Sequence, residues 1–168
     1  MEYIVGQIFG GIAVLVGFLT YQTKTQERLL LLQMLTCGIF CIHYLLIGAT
    51  VGAMLNLIAL VRNVAYFYRN KMLKGAHWIP VSFMILCGAA GIFAWEAWYS
   101  IFSTVGIVIN SGCMSFSNPQ NVRKSILVTS PMVLVYNIFA KSIGGSIYES
   151  VAIVSAIVGI WRYRKKNA

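Results

Sequence analysis

Charged residues are scarce in this sequence, and their scarcity excludes several classes of protein at once. Only 10% of the 168 residues are charged, against about 25% in an ordinary soluble domain. Hydrophobic residues make up 59% of the chain, and the mean hydropathy is +0.78. A soluble enzyme of this composition would expose apolar surface that it cannot bury, and a disordered chain needs far lower hydrophobicity. The composition therefore predicts a small integral membrane protein.

The sequence also lacks the signatures of catalysis at a metal or cofactor. It contains no Gly-rich phosphate loop, no nucleophile elbow and no His-Glu-x-x-His motif. The cysteines all lie inside apolar runs, at Cys37, Cys41, Cys87 and Cys113. That placement disfavours a disulfide framework or a metal site. We therefore expect no enzyme activity, no cofactor and no metal. Because no basic n-region precedes it, we expect the first apolar run to be a mature helix rather than a signal peptide.

Apolar runs of membrane-spanning length recur along the chain. A spanning helix needs about 20 mostly apolar residues. We predict seven transmembrane helices, over residues 3–21, 29–47, 50–68, 78–95, 97–114, 125–140 and 143–161. The expected fold class is thus an all-α integral membrane protein, and the lipid bilayer is its first expected partner.

Basic residues outnumber acidic residues by 13 to 4, and their distribution predicts an orientation. With seven spans, eleven of the basic residues fall on one side of the membrane, in the 21–28, 69–77 and 115–124 loops and the C-terminal tail. Lys141 alone falls on the other side, and Arg62 lies within a span. The positive-inside rule then predicts an external N-terminus and a cytoplasmic C-terminus. Because the basic residues flank apolar runs, we expect no binding to nucleic acid.

The first three and last three spans form an internal repeat. A shift of 95 residues aligns Gly11 with Gly106 and Gly17 with Gly112. After a two-residue gap the shift becomes 93, and it aligns Tyr44 with Asn137, Gly52 with Gly145 and Asn56 with Glu149. We predict two parallel three-helix repeats, residues 1–75 and 97–168, joined by a linker helix over 76–96. In SWEET-type transporters, which have this construction, the substrate site lies near the midplane between the repeats.

Several segments resemble the YgjV family of bacterial inner-membrane proteins. They are His43–Gly48, Leu55-Asn56 with Arg62, and Ser142–Gly145 with Glu149. The resemblance covers nearly the whole chain and implies a multi-pass protein of the bacterial inner membrane. The chain is also distantly similar to SWEET, PQ-loop and PnuC-type carriers. Its single Pro-Gln pair, Pro119-Gln120, is expected in a loop, and spans one and five lack proline. The proline hinge of those carriers is therefore absent or replaced by glycine.

Polar residues inside the predicted spans are candidate substrate contacts, because such residues are expensive in a membrane. The candidates are Asn56, Glu149, His43, Asn137 and Arg62.

Each candidate also has a structural alternative. Ser146 and Glu149 fit a capping box, and Asn56 fits an interhelical hydrogen bond. His43 and Asn137, which neighbour tyrosines, fit an interfacial aromatic belt. Arg62 fits a side chain that snorkels to the cytoplasmic face. A separate set of glycines predicts close helix packing: Gly6, Gly10 and Gly17 in span one, and Gly106 and Gly112 in span five.

The leading functional hypothesis is a small inner-membrane carrier or facilitator for an unidentified polar metabolite. Access would alternate between the two repeats, and Glu149 would be the proton site if transport is proton-coupled. The alternative is a non-transporting membrane protein of the same fold: a receptor, a lipid binder or an assembly partner. The sequence is compatible with a homo-oligomer, although two repeats in one chain can form a complete transport pathway.

Overall fold

A computed structural model describes residues 2–20, 22–72, 78–115 and 119–164. Within these ranges the chain forms seven helices: α1 (Glu2–Thr20), α2 (Gln26–Ile47), α3 (Thr50–Met72), α4 (Trp78–Phe93), α5 (Ser100–Met114), α6 (Pro119–Phe139) and α7 (Ile143–Arg164). The prediction of an all-helical chain is confirmed, and the helices follow the predicted segments closely except where α6 begins.

Four of the described helices are long and apolar enough to cross a membrane. They are α1, α2, the Thr50–Tyr68 part of α3 and the Ile143–Arg162 part of α7. Two further apolar helices, α4 and α5, are shorter, with 16 and 15 residues. The outer surface is apolar as well: Leu15 is 72% exposed and Phe93 is 86% exposed. Side chains of this kind are stable on a surface that faces lipid rather than water.

The helices pack as a ring. Helix α2 packs against α1 and α3, and α6 packs against α5 and α7. Contacts of α1 with α7 and of α3 with α5 complete the circuit α1–α2–α3–α5–α6–α7. Helix α4 packs against both α3 and α5, beside the second of these junctions.

One end of the ring, which we call the Lys141 end, gathers the starts of α1, α3 and α7. The Tyr3 hydroxyl, on α1, donates to the Lys141 carbonyl at 3.0 Å, just before α7. The Val51 N–H, in the first turn of α3, donates to the Glu96 carboxylate at 3.1 Å. Since the first backbone N–H groups of a helix have no partner within the helix, Glu96 caps α3 from the α4–α5 connection.

The turn between α2 and α3 is also at the Lys141 end and depends on one glycine. Gly48 ends α2 with φ +77°, a left-handed conformation that glycine adopts without a steric penalty. Its N–H donates to the Leu45 carbonyl at 3.2 Å. Helix α3 begins two residues later at Thr50, so the connection is short and the two helices pack as neighbours.

The opposite end, which we call the Thr23 end, contains the clearest departure from the sequence prediction. Helix α6 begins at Pro119 rather than at residue 125, so the Pro119-Gln120 pair opens a helix instead of lying in a loop. Proline suits the first helical position because the N–H that it lacks would have no partner there. Arg123, expected as a loop charge, is only 2% exposed and donates to the Thr23 carbonyl at 3.0 Å.

Candidate functional site

A cavity lies inside the ring between α2 and α3 on one side and α5, α6 and α7 on the other. Its volume is about 80 Å³. Three of the predicted contact residues, Asn56, Arg62 and Glu149, line it. The remaining polar side chains of its wall are neutral, namely Gln33, Thr36, Cys37, Tyr44, Ser103, Asn110, Thr129, Ser130 and Tyr148. The structure thus places a polar chamber inside a bundle whose outer surface is apolar.

Arg62 lies at the cavity wall, where its hydrogen-bond partners among the described residues are all neutral. Its side chain is 2% exposed, and Nη1 donates to the Ser111 hydroxyl at 2.7 Å. Nε and Nη2 donate to the Asn63 Oδ1 at 3.3 and 3.1 Å. No carboxylate pairs with this guanidinium in the described ranges of the chain. The snorkelling interpretation is therefore wrong, because the side chain points into the protein and is buried there.

Glu149 is a cavity residue and does not cap its helix. Helix α7 begins at Ile143, and its N-cap is Ser142, whose hydroxyl accepts from the Gly145 N–H at 3.0 Å. Ser146 already lies inside the helix, where its hydroxyl donates to the Ser142 carbonyl at 2.8 Å. The capping-box interpretation is therefore wrong. The Glu149 side chain instead lines the cavity together with Ser130 of α6.

Asn56 makes a hydrogen bond within its own helix rather than between helices. Its Nδ2 donates to the Gly52 carbonyl one turn earlier, at 2.9 Å. The amide oxygen makes no hydrogen bond to the described residues, and the side chain lines the cavity. The interhelical hydrogen bond, one of the two interpretations that the sequence left open, is therefore absent from the described structure. The amide oxygen of Asn56 is left as an acceptor for whatever the cavity holds.

His43 lies outside the cavity, in a buried position that joins three helices. Its Nδ1 lies 2.7 Å from the Gly6 carbonyl of α1, and its Nε2 lies 2.7 Å from the Ser142 hydroxyl. A carbonyl only accepts, so the network assigns the proton to Nδ1. The Ser142 hydroxyl, which accepts from Gly145, is then free to donate to Nε2. His43 thus fastens α2 to α1 and to the start of α7.

Asn137 also lies outside the cavity wall, in the same layer as His43. The Tyr44 hydroxyl donates to its Oδ1 at 2.6 Å, and the neighbouring Tyr136 hydroxyl accepts from the Gly52 N–H at 2.9 Å. Tyr44 is 4% exposed and Tyr136 is fully buried, so the aromatic-belt interpretation is wrong. The Nδ2 of Asn137 is buried without a partner among the described residues.

These residues form a layer between the cavity and the Lys141 end. We call it the closing layer, and it consists of His43, Tyr44, Tyr136, Asn137 and Ser142. Its hydrogen bonds connect α2 with α6 and with the start of α7, and α6 with α3. The structure therefore separates the five predicted contacts into three that line the cavity and two that belong to this layer.

The glycines singled out in the sequence lie where helices meet. A Cβ atom added at each would contact a neighbouring helix: Gly6 and Gly10 would meet α2, Gly17 would meet Tyr148 of α7, Gly106 would meet α6 and Gly112 would meet Met84 of α4. Gly10 also meets Gly144 of α7 backbone to backbone. The absence of a side chain at these positions is what allows the ring to close tightly.

Sequence reasoning missed Ser111, the residue that orients Arg62. Its hydroxyl accepts from Arg62, and its carbonyl accepts from the Tyr66 hydroxyl at 2.7 Å. Two adjacent polar residues, Asn110 and Ser111, interrupt the apolar run of α5, and that interruption was the signal available in the sequence. One of the pair lines the cavity and the other holds the arginine beside it.

The apolar exterior, the membrane-length helices and the internal cavity lined by polar side chains define a multi-pass integral membrane protein. The family model Imp-YgjV, described as a bacterial inner membrane protein, matches residues 4–167. The chain therefore belongs to the YgjV family of bacterial inner membrane proteins, as its sequence resemblance implied. No curated protein and no solved structure matches the chain.

Proposed function

We propose that this protein is a carrier or facilitator for a small polar metabolite in the bacterial inner membrane, and not an enzyme. In this proposal all seven helices span the membrane. Residues 1–75 and 97–168 form two parallel three-helix units, and residues 76–96 form the linker. The Lys141 end faces outward and the Thr23 end faces the cytoplasm, in agreement with the distribution of basic residues.

The contacts between helices support the two-unit architecture. A two-fold axis that exchanges α1 with α5 and α3 with α7 also exchanges the α1–α7 junction with the α3–α5 junction, and both junctions are present. A matching detail recurs inside the units. A Cβ on Gly52 would lie 2.7 Å from the Tyr44 ring, and a Cβ on Gly145 would lie 2.6 Å from Asn137 Oδ1. Gly52 aligns with Gly145, and Tyr44 aligns with Asn137.

The observation that carries the proposal is that Asn56 and Glu149 line the same cavity. These residues occupy matched positions in the sequence repeat and belong to different units. A bundle that served only as a scaffold would gain from filling this space with apolar side chains, because buried polar groups are costly in a membrane. A polar chamber between two units is the arrangement expected of a carrier.

The closing layer supports a mechanism of alternating access. The bond from Tyr44 to Asn137 joins α2 of one unit to α6 of the other, between the cavity and the Lys141 end. The His43–Ser142 bond also crosses from the first unit to the second. Rocking of one unit against the other would break these bonds and open the cavity outward. In this proposal, the described conformation is the one in which the outward path is closed.

Access to the cavity can be tested without knowing the substrate. We would replace the four native cysteines by alanine, introduce Asn56→Cys, and reconstitute the protein in vesicles. A membrane-impermeant methanethiosulfonate reagent would then be applied from each side in turn. The matched control is Leu57→Cys, because Leu57 is the next residue of α3 and is 50% exposed on the apolar surface.

If the protein is a carrier, the cysteine at position 56 should react from both sides of the membrane, because the cavity opens to each side in turn. The cysteine at position 57, which faces lipid, should stay unreactive. Reaction from one side only would contradict alternating access and favour a receptor. No reaction from either side would favour the non-transporting alternative with a sealed core. Uptake assays with a panel of polar metabolites would follow, and equal uptake by wild type and by the Asn56→Ala, Glu149→Gln double variant would refute the assigned site.

A further inference from the structure

We infer that the cavity binds its solute through a carboxylate group, and that Arg62 supplies the positive charge that holds it. This inference rests on the proposed function for the identity of the site and adds the chemical class of the substrate. It is carried by the burial of Arg62, by the neutrality of its hydrogen-bond partners among the described residues, and by its position in the cavity wall.

The first step concerns charge. A guanidinium stays protonated in proteins, so Arg62 carries a full positive charge inside the bundle. A buried charge without an opposite charge is costly, and ionisable residues inside membranes usually pair with one another or line a pathway. The described partners of Arg62, Asn63 and Ser111, are both neutral. Glu149 lines the same cavity but forms no ion pair with Arg62 within the described structure, so a solute in the cavity is the best source of the opposite charge.

The second step concerns geometry. A guanidinium has five N–H donors, and three protein hydrogen bonds use three of them. Two donors are left within the described structure, and the neighbouring side chains fix the plane in which they lie. A planar carboxylate with two oxygens is the group that a guanidinium recognises best, through two parallel hydrogen bonds. A spherical halide ion gains less from this arrangement than a carboxylate does.

The third step concerns size and the rest of the wall. A cavity of about 80 Å³ is small, since pockets for drug-sized ligands measure about 300–1,000 Å³. Glu149 is the one acidic side chain of the described lining. Its repeat partner Asn56 lies six residues from Arg62, which is about 9 Å along α3. The carboxylate therefore belongs to a short molecule, and Glu149 is placed to distinguish solutes that also carry an amine.

The experiment uses acetate, propionate, glycine and alanine, with chloride and ethylamine as controls. The first readout is the melting temperature of the detergent-purified wild-type protein. The second is protection of the Asn56→Cys variant from the thiol reagent. A ligand at ten times its dissociation constant slows such a reaction about tenfold by mass action. Arg62→Gln and Arg62→Lys complete the set, because lysine keeps the charge but loses the planar pair of donors.

We expect at least one of the four carboxylates to raise the melting temperature and to protect position 56, and chloride and ethylamine to do neither. Both Arg62 variants should lose this response, and Glu149→Gln should weaken the response to glycine and alanine alone. If the Arg62 variants do not fold, the melting temperature of the wild-type protein with each carboxylate, compared with chloride and ethylamine, still tests the substrate class. The inference fails if none of the carboxylates has an effect, or if chloride or ethylamine protects as well as they do.

The two proposals fail separately. Labelling of position 56 from both sides, with no carboxylate that stabilises the wild-type protein, would keep the carrier and overturn the substrate class. Carboxylate-dependent stabilisation without labelling from both sides would keep the binding site and overturn transport.

Discussion

The close contact between α1 and α7 predicts that adding a single methyl group at Gly144 will destabilise the fold. A Cβ atom on Gly144 would lie 2.5 Å from the Cα of Gly10 and 2.8 Å from its carbonyl carbon. Both of those atoms belong to the backbone, so no side chain can rotate away from the added methyl. Gly144→Ala therefore requires the two helices to move apart at the point where the ring closes.

The expected cost follows from what that separation would disturb. The same contact brings Tyr148 of α7 against Gly17 of α1, and it holds Ser142 within 2.7 Å of the His43 ring. Forcing extra volume into a well-packed core typically costs about 1–3 kcal/mol. Because a backbone contact and a hydrogen bond are both involved, we expect Gly144→Ala to cost about 3 kcal/mol, at the upper end of that range.

Thermal unfolding in detergent measures this cost, and Gly11→Ala is the matched control. Gly11 lies next to Gly10 on the same helix, but a Cβ added there would meet nothing within 4 Å. Alanine favours a helix over glycine by about 1 kcal/mol, so the control should melt at or above the wild-type temperature. If Gly144→Ala and Gly11→Ala had the same melting temperature, the close contact between α1 and α7 would be refuted.

Two further substitutions test the closing layer by the same measurement. Tyr136→Phe removes the acceptor for the buried Gly52 N–H and should lower the free energy of unfolding by about 1–3 kcal/mol. The control is Tyr68→Phe on the exposed surface, which should cost almost nothing. Equal melting temperatures for these two variants would contradict the buried hydrogen bond. Ser142→Ala removes both the N-cap of α7 and a partner of His43, and we expect a loss of about 2 kcal/mol. A melting temperature unchanged from wild type would show that neither bond stabilises the fold.

Helix positions were predictable because the physics that sets them is local. A run of about 20 apolar residues has few alternatives to a helix in a membrane, since every backbone group must be bonded within its own segment. The start of α6 escaped this reasoning because Arg123 and Lys124 resemble a loop. Arg123 is instead buried, with its guanidinium against Gly159 of α7 and bonded to the Thr23 carbonyl. That environment is built by residues distant in the sequence.

The roles of the polar residues were harder to predict than their importance. Asn56, Arg62, His43 and Asn137 each interrupt an apolar run, and the sequence gives no measure of what each will face. Helical periodicity assigns a residue to a face of its helix, but the neighbour of that face depends on the order of helices around the ring. The sequence of α3 alone is therefore compatible with a snorkelling Arg62, because its buried partner Ser111 belongs to α5.

The predicted repeat adds information that helical periodicity does not contain. On a two-fold axis, a residue that points at the axis must meet its own counterpart. Tyr44 and Asn137 are 93 residues apart, which is the shift that aligns the second half of the two units, and they form a direct hydrogen bond of 2.6 Å. Asn56 and Glu149 have the same separation, and both face the cavity. Under the proposed architecture, both pairs therefore mark the axis, one where the units touch and one where they stand apart around the cavity. Substitutions at the first pair should then alter the opening of the cavity, and substitutions at the second should alter what it binds.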